Sequence, residues 1–222
     1  PAATKARPTR VSKIAGVRFM QCVRYRVLLR RETPLTLAAG ASHCAAQQNH
    51  GAGDMTQANL KAVKDIYAIG EIPPAYHVPE KMWAWAIRKE RHGRPAKAMQ
   101  LEQVPVPQVG EDEALVLVMA AGVNYNGVWA ALGEPISPLD GHKQPYHVAG
   151  SDAAGIVWAV GAKVKRWKPG DEVVIHCNQD DGDDEECNGG DPMFSPSQKI
   201  WGYETSDGSF AQFCKVQARQ LM

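Results

Sequence analysis

The sequence predicts a mainly β fold with short helices, in which a compact and mostly antiparallel barrel takes up the larger part of the chain. Two observations predict it: short runs with strand character recur along the chain, and turn-forming sequences separate them. A content of 44% hydrophobic and 22% charged residues over 222 positions is that of an ordinary core-forming protein. The predicted strands are Met82–Arg88, Met99–Val104, Ala114–Met119, Gly155–Val160, Glu172–His176 and Phe210–Val216.

The first 54 residues differ in charge from the rest of the chain. They contain nine Lys and Arg residues against two acids, a net charge of +7, so residues 55–222 carry −6 of the total of +1. The segment also lacks the sustained periodicity of a helix or of a series of strands. Three interpretations remain open: upstream sequence translated from a start placed too early, an organelle transit peptide, or a basic nucleic-acid arm. The first is favoured, and we expect residues 1–54 to be a disordered or mis-assigned extension.

Residues 55–81 are predicted to form an N-terminal helix and a connector. Thr56 can cap this helix, Gly70 can end it, and the prolines of the following segment 71–75 cannot continue it. The apolar residues that give the segment its helical spacing are Leu60, Val63, Ile66 and Tyr67.

Residues 82–222 are predicted to form the barrel domain. A short helix is expected over Gly127–Leu132, and the acidic tract Asp180–Glu186 is expected to be a solvated loop. Four sequences between the strands favour reversals of the chain because they combine Gly with Pro, Asp or another turn-forming residue. They are His92-Gly93, Gly110–Asp112, Lys168–Asp171 and Asp207-Gly208.

The overall composition excludes several classes of protein. The near balance of 25 basic and 24 acidic residues gives no argument for a nucleic-acid partner. No stretch approaches the roughly 18 consecutive apolar residues of a membrane span. The five cysteines are odd in number and form no C-x-x-C pair, which predicts a reducing, cytoplasmic location.

Three sequence features carry a resemblance to a known superfamily. They are Gly150–Gly155 running into Ile156–Gly161, then Trp167–Val173, then Gly208–Gln212. Together they resemble the GroES-like substrate lobe of the medium-chain dehydrogenases/reductases. The resemblance implies that a Rossmann domain holding the dinucleotide follows the lobe. No G-x-G-x-x-G in a strand-to-helix setting occurs in the chain, so we expect it to be the N-terminal portion of such an enzyme, with the Rossmann domain absent.

The zinc ligands of that superfamily are not matched. Zinc members have a Cys near the position of Asn124 and a His-Glu pair where this chain has Ser151-Asp152. Cys177 and Cys187 stand alone, so the four-cysteine structural zinc lobe is missing as well. A zinc ion would require His176, Cys177 and carboxylates of the acidic tract to converge. We therefore expect no metal.

Five further strings resemble the crotonyl-CoA carboxylase/reductase family, in the order and spacing of that family. They are Ala120–Trp129, Gly133–Ser137, Tyr146–Asp152, His176–Asn178 and Ile200–Thr205. The resemblance implies NADPH-dependent reductive carboxylation of crotonyl-CoA with CO2 to ethylmalonyl-CoA. It also implies a homotetramer formed through the nucleotide domains, with NADPH bound mainly by the missing domain.

The same resemblance implies site residues. The family's CO2 pocket uses an asparagine, matched by Asn126, and an aromatic–glutamate pair, matched by Tyr203-Glu204. Tyr203 stands where some relatives have Phe. Asn124 and Tyr125 are expected to contact the substrate. A neutral amide suits this chemistry because it can bond an oxygen of CO2 without offering an acidic proton to the competing enolate.

Other interpretations of these residues and of the chain remain open. Asn124 and Asn126 could cap the helix that follows, and Glu204 could be a surface carboxylate. His147 and His176 are expected to be structural histidines. The chain could also belong to a zinc-less enoyl or quinone reductase that only protonates the enolate, or it could be a GroES-like binding module without catalysis.

Overall fold

Antiparallel β-sheets dominate the structure, a computed structural model that describes residues 63–222. The strands are β1 (Lys81–Ile87), β2 (Gln100–Pro105), β3 (Glu113–Ala121), β4 (His147–Val148), β5 (Ala153–Val160), β6 (Glu172–Ile175), β7 (Asn178–Gln179), β8 (Lys199–Ile200) and β9 (Phe213–Gln217). The helices are α1 (Pro95–Ala98) and α2 (Tyr125–Leu132), with short 3-10 turns at Lys89–Arg91, Pro138–Asp140, Pro192–Phe194 and Ala218–Gln220.

Two larger sheets are joined along the chain segment that precedes β9. Their strand orders are β2-β1-β4 and β6-β5-β3-β9, and β7 and β8 form a separate two-stranded sheet. Ala84 on β1 bridges to Ala211, Trp85 N–H donates to the carbonyl of Phe210 at 2.8 Å, and Gln212 N–H donates to the carbonyl of Trp83 at 3.1 Å. These contacts carry the hydrogen bonding of one sheet into the other, as closure into a barrel requires.

The core lies between the sheets and follows from the alternation of the strands. On β1, Met82, Ala84 and Ala86 are buried and face inward, whereas Lys81 and Trp85 are exposed. The largest completely buried side chain is that of Trp201, whose indole N–H donates to the carbonyl of Lys215 at 2.8 Å. Burial of a Trp with its polar atom satisfied is the arrangement that stabilises a core without an unpaired donor.

The predicted fold class and most predicted strands are confirmed. The main departure among the strands is the predicted strand Phe210–Val216, which begins only at Phe213. Residues 210–212 pair instead with β1 across the junction between the two larger sheets. Helix α2 begins at Tyr125, two residues before the predicted start, because Asn124 caps it. The two-residue strands β4, β7 and β8 have no counterpart among the predicted strands, since a pairing of two residues leaves no periodicity in the sequence.

The predicted N-terminal helix is wrong over residues 63–70, which form bends and turns. Tyr67 is buried, and its hydroxyl accepts the backbone N–H of Lys64 at 3.0 Å. The side-chain amide of Gln212 donates to the carbonyls of Tyr67 and Ala68, at 3.3 and 3.1 Å. The segment is therefore held by contacts with the barrel and not by its own helical hydrogen bonds. Residues 55–62 of this prediction, and all of the predicted extension 1–54, lie outside the described residues.

The helices of residues 63–222 are short. The longest of them, α2, has eight residues, whereas about 20 are needed to cross a bilayer. No helix in this part of the chain can therefore span a membrane.

Candidate functional site

Asn124 fixes the start of α2. Its backbone is extended, with φ −130° and ψ 179°, and its side-chain carbonyl accepts the backbone N–H of Asn126 at 2.9 Å. Gly133 ends the helix in the left-handed conformation that glycine favours. The alternative interpretation as a helix cap is thus confirmed for Asn124, whereas Asn126 lies within the first turn and its side chain is not used as the cap.

One buried hydroxyl joins the side chains of Asn124 and Asn126. The amide nitrogen of Asn124 lies 2.7 Å from Ser151 Oγ and 2.5 Å from Asp152 Oδ2. The amide nitrogen of Asn126 lies 3.4 Å from the same Ser151 Oγ. Ser151 is only 1% exposed, while both asparagines are half-buried. The structure therefore assembles Asn124, Asn126, Ser151 and Asp152 into one hydrogen-bonded group at the helix N-terminus.

The loop that carries Ser151 is held by backbone pairing with residues 208–210. Ser209 N–H donates to the carbonyl of Gly150 at 2.9 Å, and Phe210 N–H donates to the carbonyl of Ala149 at 2.9 Å. Gly150 has φ +107°, and a Cβ at this position would overlap the hydroxyl oxygen of Ser209. Only glycine fits this turn, which directs Ser151 inward and leaves Asp152 at the surface.

Tyr203 and Glu204 lie on a turn that packs against the same loop. Gly202, with φ +72°, approaches Gly150 so closely that a Cβ on Gly202 would overlap the Gly150 carbonyl oxygen. The Tyr203 ring packs on the buried cluster that includes Ala130 and Ala131 of α2. Close approach of two glycines therefore brings a distant segment of the chain next to the loop that contacts Asn126.

The polar atoms of Tyr203 and Glu204 are engaged locally. The Glu204 carboxylate accepts the backbone N–H of Ile200 at 2.7 Å, and the Tyr203 hydroxyl donates to the carbonyl of Ile136 at 2.9 Å. Burial raises the pKa of Tyr203, and the charge of Glu204 adds to the rise. Within residues 63–222, no hydrogen bond joins Asn126 to either residue. The structure thus brings the two motifs to one region but does not connect their functional groups directly.

Tyr125 contributes an exposed aromatic surface beside this group. Its side chain is 63% exposed and makes an edge contact with Trp129, with ring centroids 5.2 Å apart. Val123, just before α2, and Leu132, at its end, are exposed apolar residues as well. This surface offers contacts to an apolar ligand but has no charged group of its own.

Two groups of potential metal ligands differ in character. At the site, Asn124 directs its amide nitrogen, and not its oxygen, toward Ser151 and Asp152, so only the Asp152 carboxylate is a good ligand for zinc. This set does not fit the zinc site of the superfamily. A second group lies in the acidic loop, where ligand atoms of Asp181, Asp184 and Cys187 lie within 4.8 Å of one another.

The contacts of the acidic loop differ from those that the sequence suggested for a metal. His176 and Cys177 do not belong to the group of potential ligands. Asp184 already accepts hydrogen bonds from Ser195 Oγ at 2.6 Å and from the backbone N–H of Cys187 at 2.8 Å. Burial raises the pKa of the Cys187 thiol. The loop is therefore held by hydrogen bonds between its own residues.

Several residues around the site have no role assigned from the sequence. The sequence marks Ser151 only as a replaced zinc ligand, and nothing in it signals a contact with both asparagines.

Burial raises the pKa of the half-buried Cys177, and the nearby Asp152 carboxylate adds to the rise, so the thiol stays protonated at neutral pH. His147, expected to be structural, is completely buried and lies 3.3 Å from the ring of His142, measured from Nδ1 to Nε2.

The sequence of this chain is similar to those of known proteins. Residues 110–222 match the alcohol dehydrogenase GroES-like domain family. The crotonyl-CoA carboxylase/reductase of Cereibacter sphaeroides is 77% identical over 159 residues, which are 72% of this chain and 37% of that protein. This chain therefore spans well under half of the length of that relative.

Solved structures show the same similarity. A crotonyl-CoA carboxylase/reductase structure matches with a TM-score of 0.69 and 76% identity, covering 72% of this chain and 37% of that one. The structure of a 2-octenoyl-CoA carboxylase reductase in complex with NADP and 2-octenoyl-CoA matches with a TM-score of 0.61 and 37% identity, covering 66% of this chain and 37% of that one. The resemblance found in the sequence motifs is thus confirmed over the described barrel.

Proposed function

Because this chain belongs to the alcohol dehydrogenase GroES-like domain family and resembles crotonyl-CoA carboxylase/reductases, we propose that it is the substrate-binding part of such an enzyme. The proposed reaction is the NADPH-dependent conversion of crotonyl-CoA and CO2 to ethylmalonyl-CoA. The observation that carries the proposal is that three separate motifs lie next to one another in the fold. They are Ala120–Trp129, Tyr146–Asp152 and Ile200–Thr205. Asn126 contacts Ser151, and the Tyr203-Glu204 turn packs on the adjacent Gly150.

The proposed chemistry requires a choice between two electrophiles. When NADPH is bound, it supplies a hydride to the β-carbon of the unsaturated thioester, which leaves a nucleophilic α-carbon. That carbon can take a proton or react with CO2. The residues of this chain would act by holding CO2 and excluding water, since positioning and desolvation favour carboxylation over protonation.

Asn126 is the residue of this chain that suits the CO2 contact. One amide N–H is directed at Ser151, and the second is free of any hydrogen bond within residues 63–222. A neutral N–H can donate to an oxygen of CO2, and the bond strengthens as that oxygen gains the charge of a carboxylate. It does so without supplying a proton to the enolate.

Glu204 and Tyr203 are proposed to shape the pocket and not to react with the substrate. The Glu204 carboxylate accepts the N–H of Ile200, which keeps its charge in the turn and away from an incoming CO2. Tyr203 is held by Ile136 at one end and by the apolar residues of α2 at its ring. Together they would form one wall of the pocket, while Asn124 and Tyr125 would contact the substrate from the helix N-terminus.

NADPH would be held mainly by a nucleotide-binding domain outside residues 63–222. Phosphate binding in such domains uses a glycine-rich turn between a strand and a helix N-terminus. The two α-helices of residues 63–222 have four and eight residues, and neither follows a glycine-rich turn of this kind. The barrel would accordingly contribute to the substrate side of the site.

We also propose that the intact enzyme acts without zinc, in the cytoplasm, as a homotetramer. The lack of zinc is supported by the contacts of Asn124, Ser151 and Asp152 with one another. Elemental analysis of the purified protein is expected to give well below one zinc ion per chain. One zinc ion per chain, retained by the protein and lost in Asp184→Asn, would contradict this and identify the acidic loop as its site.

The proposal can be tested in a chimera. The 159 matched residues of this chain replace their counterparts in the Cereibacter sphaeroides enzyme, with the unmodified enzyme as the control. We expect NADPH oxidation in the presence of crotonyl-CoA and bicarbonate to yield ethylmalonyl-CoA. Butyryl-CoA as the only product at saturating bicarbonate would favour a simple enoyl or quinone reductase. A folded chimera without NADPH oxidation would favour a binding module.

A further inference from the structure

Ser151 is a buried hydroxyl between the two asparagines of the site. It is 1% exposed, and it is the shared partner of the amide nitrogens of Asn124 and Asn126 at 2.7 and 3.4 Å. We propose that Ser151 is a positioning residue that fixes the orientation of the Asn126 amide and thereby sets the ratio of carboxylation to protonation. This inference rests on the proposed function.

The orientation of the Asn124 side-chain amide is fixed because both its oxygen and its nitrogen have hydrogen-bond partners. Its carbonyl accepts the N–H of Asn126, so its amide nitrogen must face the opposite side, where Ser151 and Asp152 lie. Asn126 has no comparable second anchor. Its contact with Ser151 is the only hydrogen bond of its side chain among residues 63–222.

The consequence for Asn126 follows from the shape of an amide. Its carbonyl and its NH2 have nearly the same size, so sterics alone do not distinguish one orientation from the flipped one. With the nitrogen directed at Ser151, the second N–H stays available as a donor. Without Ser151 Oγ, the amide loses the only hydrogen bond that its side chain makes among residues 63–222 and is free to turn. Its carbonyl oxygen, if turned toward the reacting carbon dioxide, would repel the developing carboxylate.

The backbone on both sides of Ser151 is held by hydrogen bonds. The backbone on one side is fixed by the pairing of Ser209 N–H with the Gly150 carbonyl at 2.9 Å, and on the other side the Asp152 carbonyl accepts Gly122 N–H at 2.9 Å. A hydroxyl on a loop fixed at both ends can orient a neighbouring side chain, whereas a mobile one cannot.

Ser209 supplies a matched control. It is also a serine of 1% exposure, and it contacts the same loop, but its hydroxyl bonds the Asp152 carbonyl and neither asparagine. Ser209→Ala therefore removes a buried hydroxyl of equal size from the same region. The backbone bonds of Gly150 and Asp152 remain in this variant, so the contacts of Asn126 are expected to stay unchanged.

The test compares Ser151→Ala, Ser151→Thr and Ser209→Ala in the chimera. Loss of one orienting hydrogen bond is expected to lower the ratio of ethylmalonyl-CoA to butyryl-CoA by roughly five- to tenfold in Ser151→Ala. NADPH oxidation should continue. Ser151→Thr keeps the hydroxyl and should keep most of the ratio, and Ser209→Ala should keep all of it. An unchanged ratio in Ser151→Ala, or an equal fall in Ser209→Ala, would overturn the proposal.

A second variant and a second measurement keep the Ser151 proposal testable if the first experiment fails. If Ser151→Ala does not fold, Ser151→Cys keeps the shape with a weaker acceptor, and the same fall in ratio is expected. If the unsubstituted chimera makes no ethylmalonyl-CoA, the proposed function fails. Nuclear magnetic resonance of the 222-residue chain then decides on Ser151 alone. The side-chain amide signals of Asn126 should shift in Ser151→Ala and not in Ser209→Ala, and unmoved signals would refute the contact.

Discussion

The amide nitrogen of Asn124 lies 2.7 Å from the hydroxyl oxygen of the buried Ser151, 27 residues further along the chain. The same Asn124 side chain accepts the backbone N–H that begins α2. A residue that looks like a simple helix cap is therefore also the link between the helix and the loop of Ser151. The two roles use different atoms, so substitutions can separate them.

Asn124→Ala is expected to lower the free energy of unfolding by about 1 kcal/mol, because α2 loses its N-cap. Asn124→Ser keeps an oxygen that can cap the helix but removes the amide nitrogen that reaches Ser151. Its stability should stay within a few tenths of a kcal/mol of the parent chain. Denaturant unfolding followed by circular dichroism measures both variants. Equal losses in the two would show that the cap contributes less than the contact with Ser151.

Acid is expected to destabilise the barrel through His147. Burial lowers the pKa of His147 to about 3, and the neighbouring His142 acts in the same direction. The unfolded chain binds a proton at this residue below its ordinary pKa of about 6.5, whereas the folded chain does not until about 3. Stability should therefore fall as the pH decreases through this window, with a contribution of about 2 kcal/mol at pH 5.

His147→Asn removes the titrating group while keeping a polar side chain. We expect the slope of unfolding free energy against pH to become flatter between pH 7 and pH 5 in this variant. The measurement is a series of denaturant titrations at fixed ionic strength. An undiminished slope would mean that other groups cause the acid sensitivity.

Arg219 is expected to stabilise the acidic loop through one buried carboxylate. Its Nη1 lies 2.9 Å from Asp180 Oδ1, and the Asp180 side chain is only 3% exposed. Removing the cation leaves the buried carboxylate without its partner, but Arg219 is itself 38% exposed, so Arg219→Met should cost about 1 kcal/mol. The double variant Arg219→Met with Asp180→Asn should regain much of this loss, since no buried charge remains. Thermal unfolding of the four proteins measures the coupling, and strictly additive losses would contradict the ion pair.

Much of the fold could be predicted from the sequence because the strands are long enough to show their pattern. Strands such as β1 and β5 alternate or run apolar over seven or eight residues, and turn sequences bound them. The segment 63–70 could not be predicted, because its apolar spacing fits a helix and contacts with residues further along the chain, such as Lys81 and Gln212, determine otherwise. Local pattern carries no information on such a contact.

The candidate site could be predicted only in part, for a similar reason. Resemblance identifies the motifs containing Asn126 and Tyr203-Glu204, and the structure brings them to one region. The contact of Asn126 with Ser151 depends on the turn at Gly150, and the engagement of Glu204 with Ile200 depends on the turn at Gly202. The first contact joins segments 25 residues apart, which a sequence alone does not reveal, whereas the second is local to its turn.

The most direct test of the central claim is the product ratio of Asn126→Leu in the chimera. Leucine keeps the approximate volume of asparagine but removes the amide donor. Losing one preorganised hydrogen bond to the developing carboxylate should raise the barrier to carboxylation by about 3 kcal/mol, on the order of 100-fold. Chromatography of the acyl-CoA products should then show butyryl-CoA in place of ethylmalonyl-CoA, with NADPH oxidation retained. An unchanged product ratio in a folded Asn126→Leu chimera would contradict the assignment of Asn126 to the carbon dioxide site.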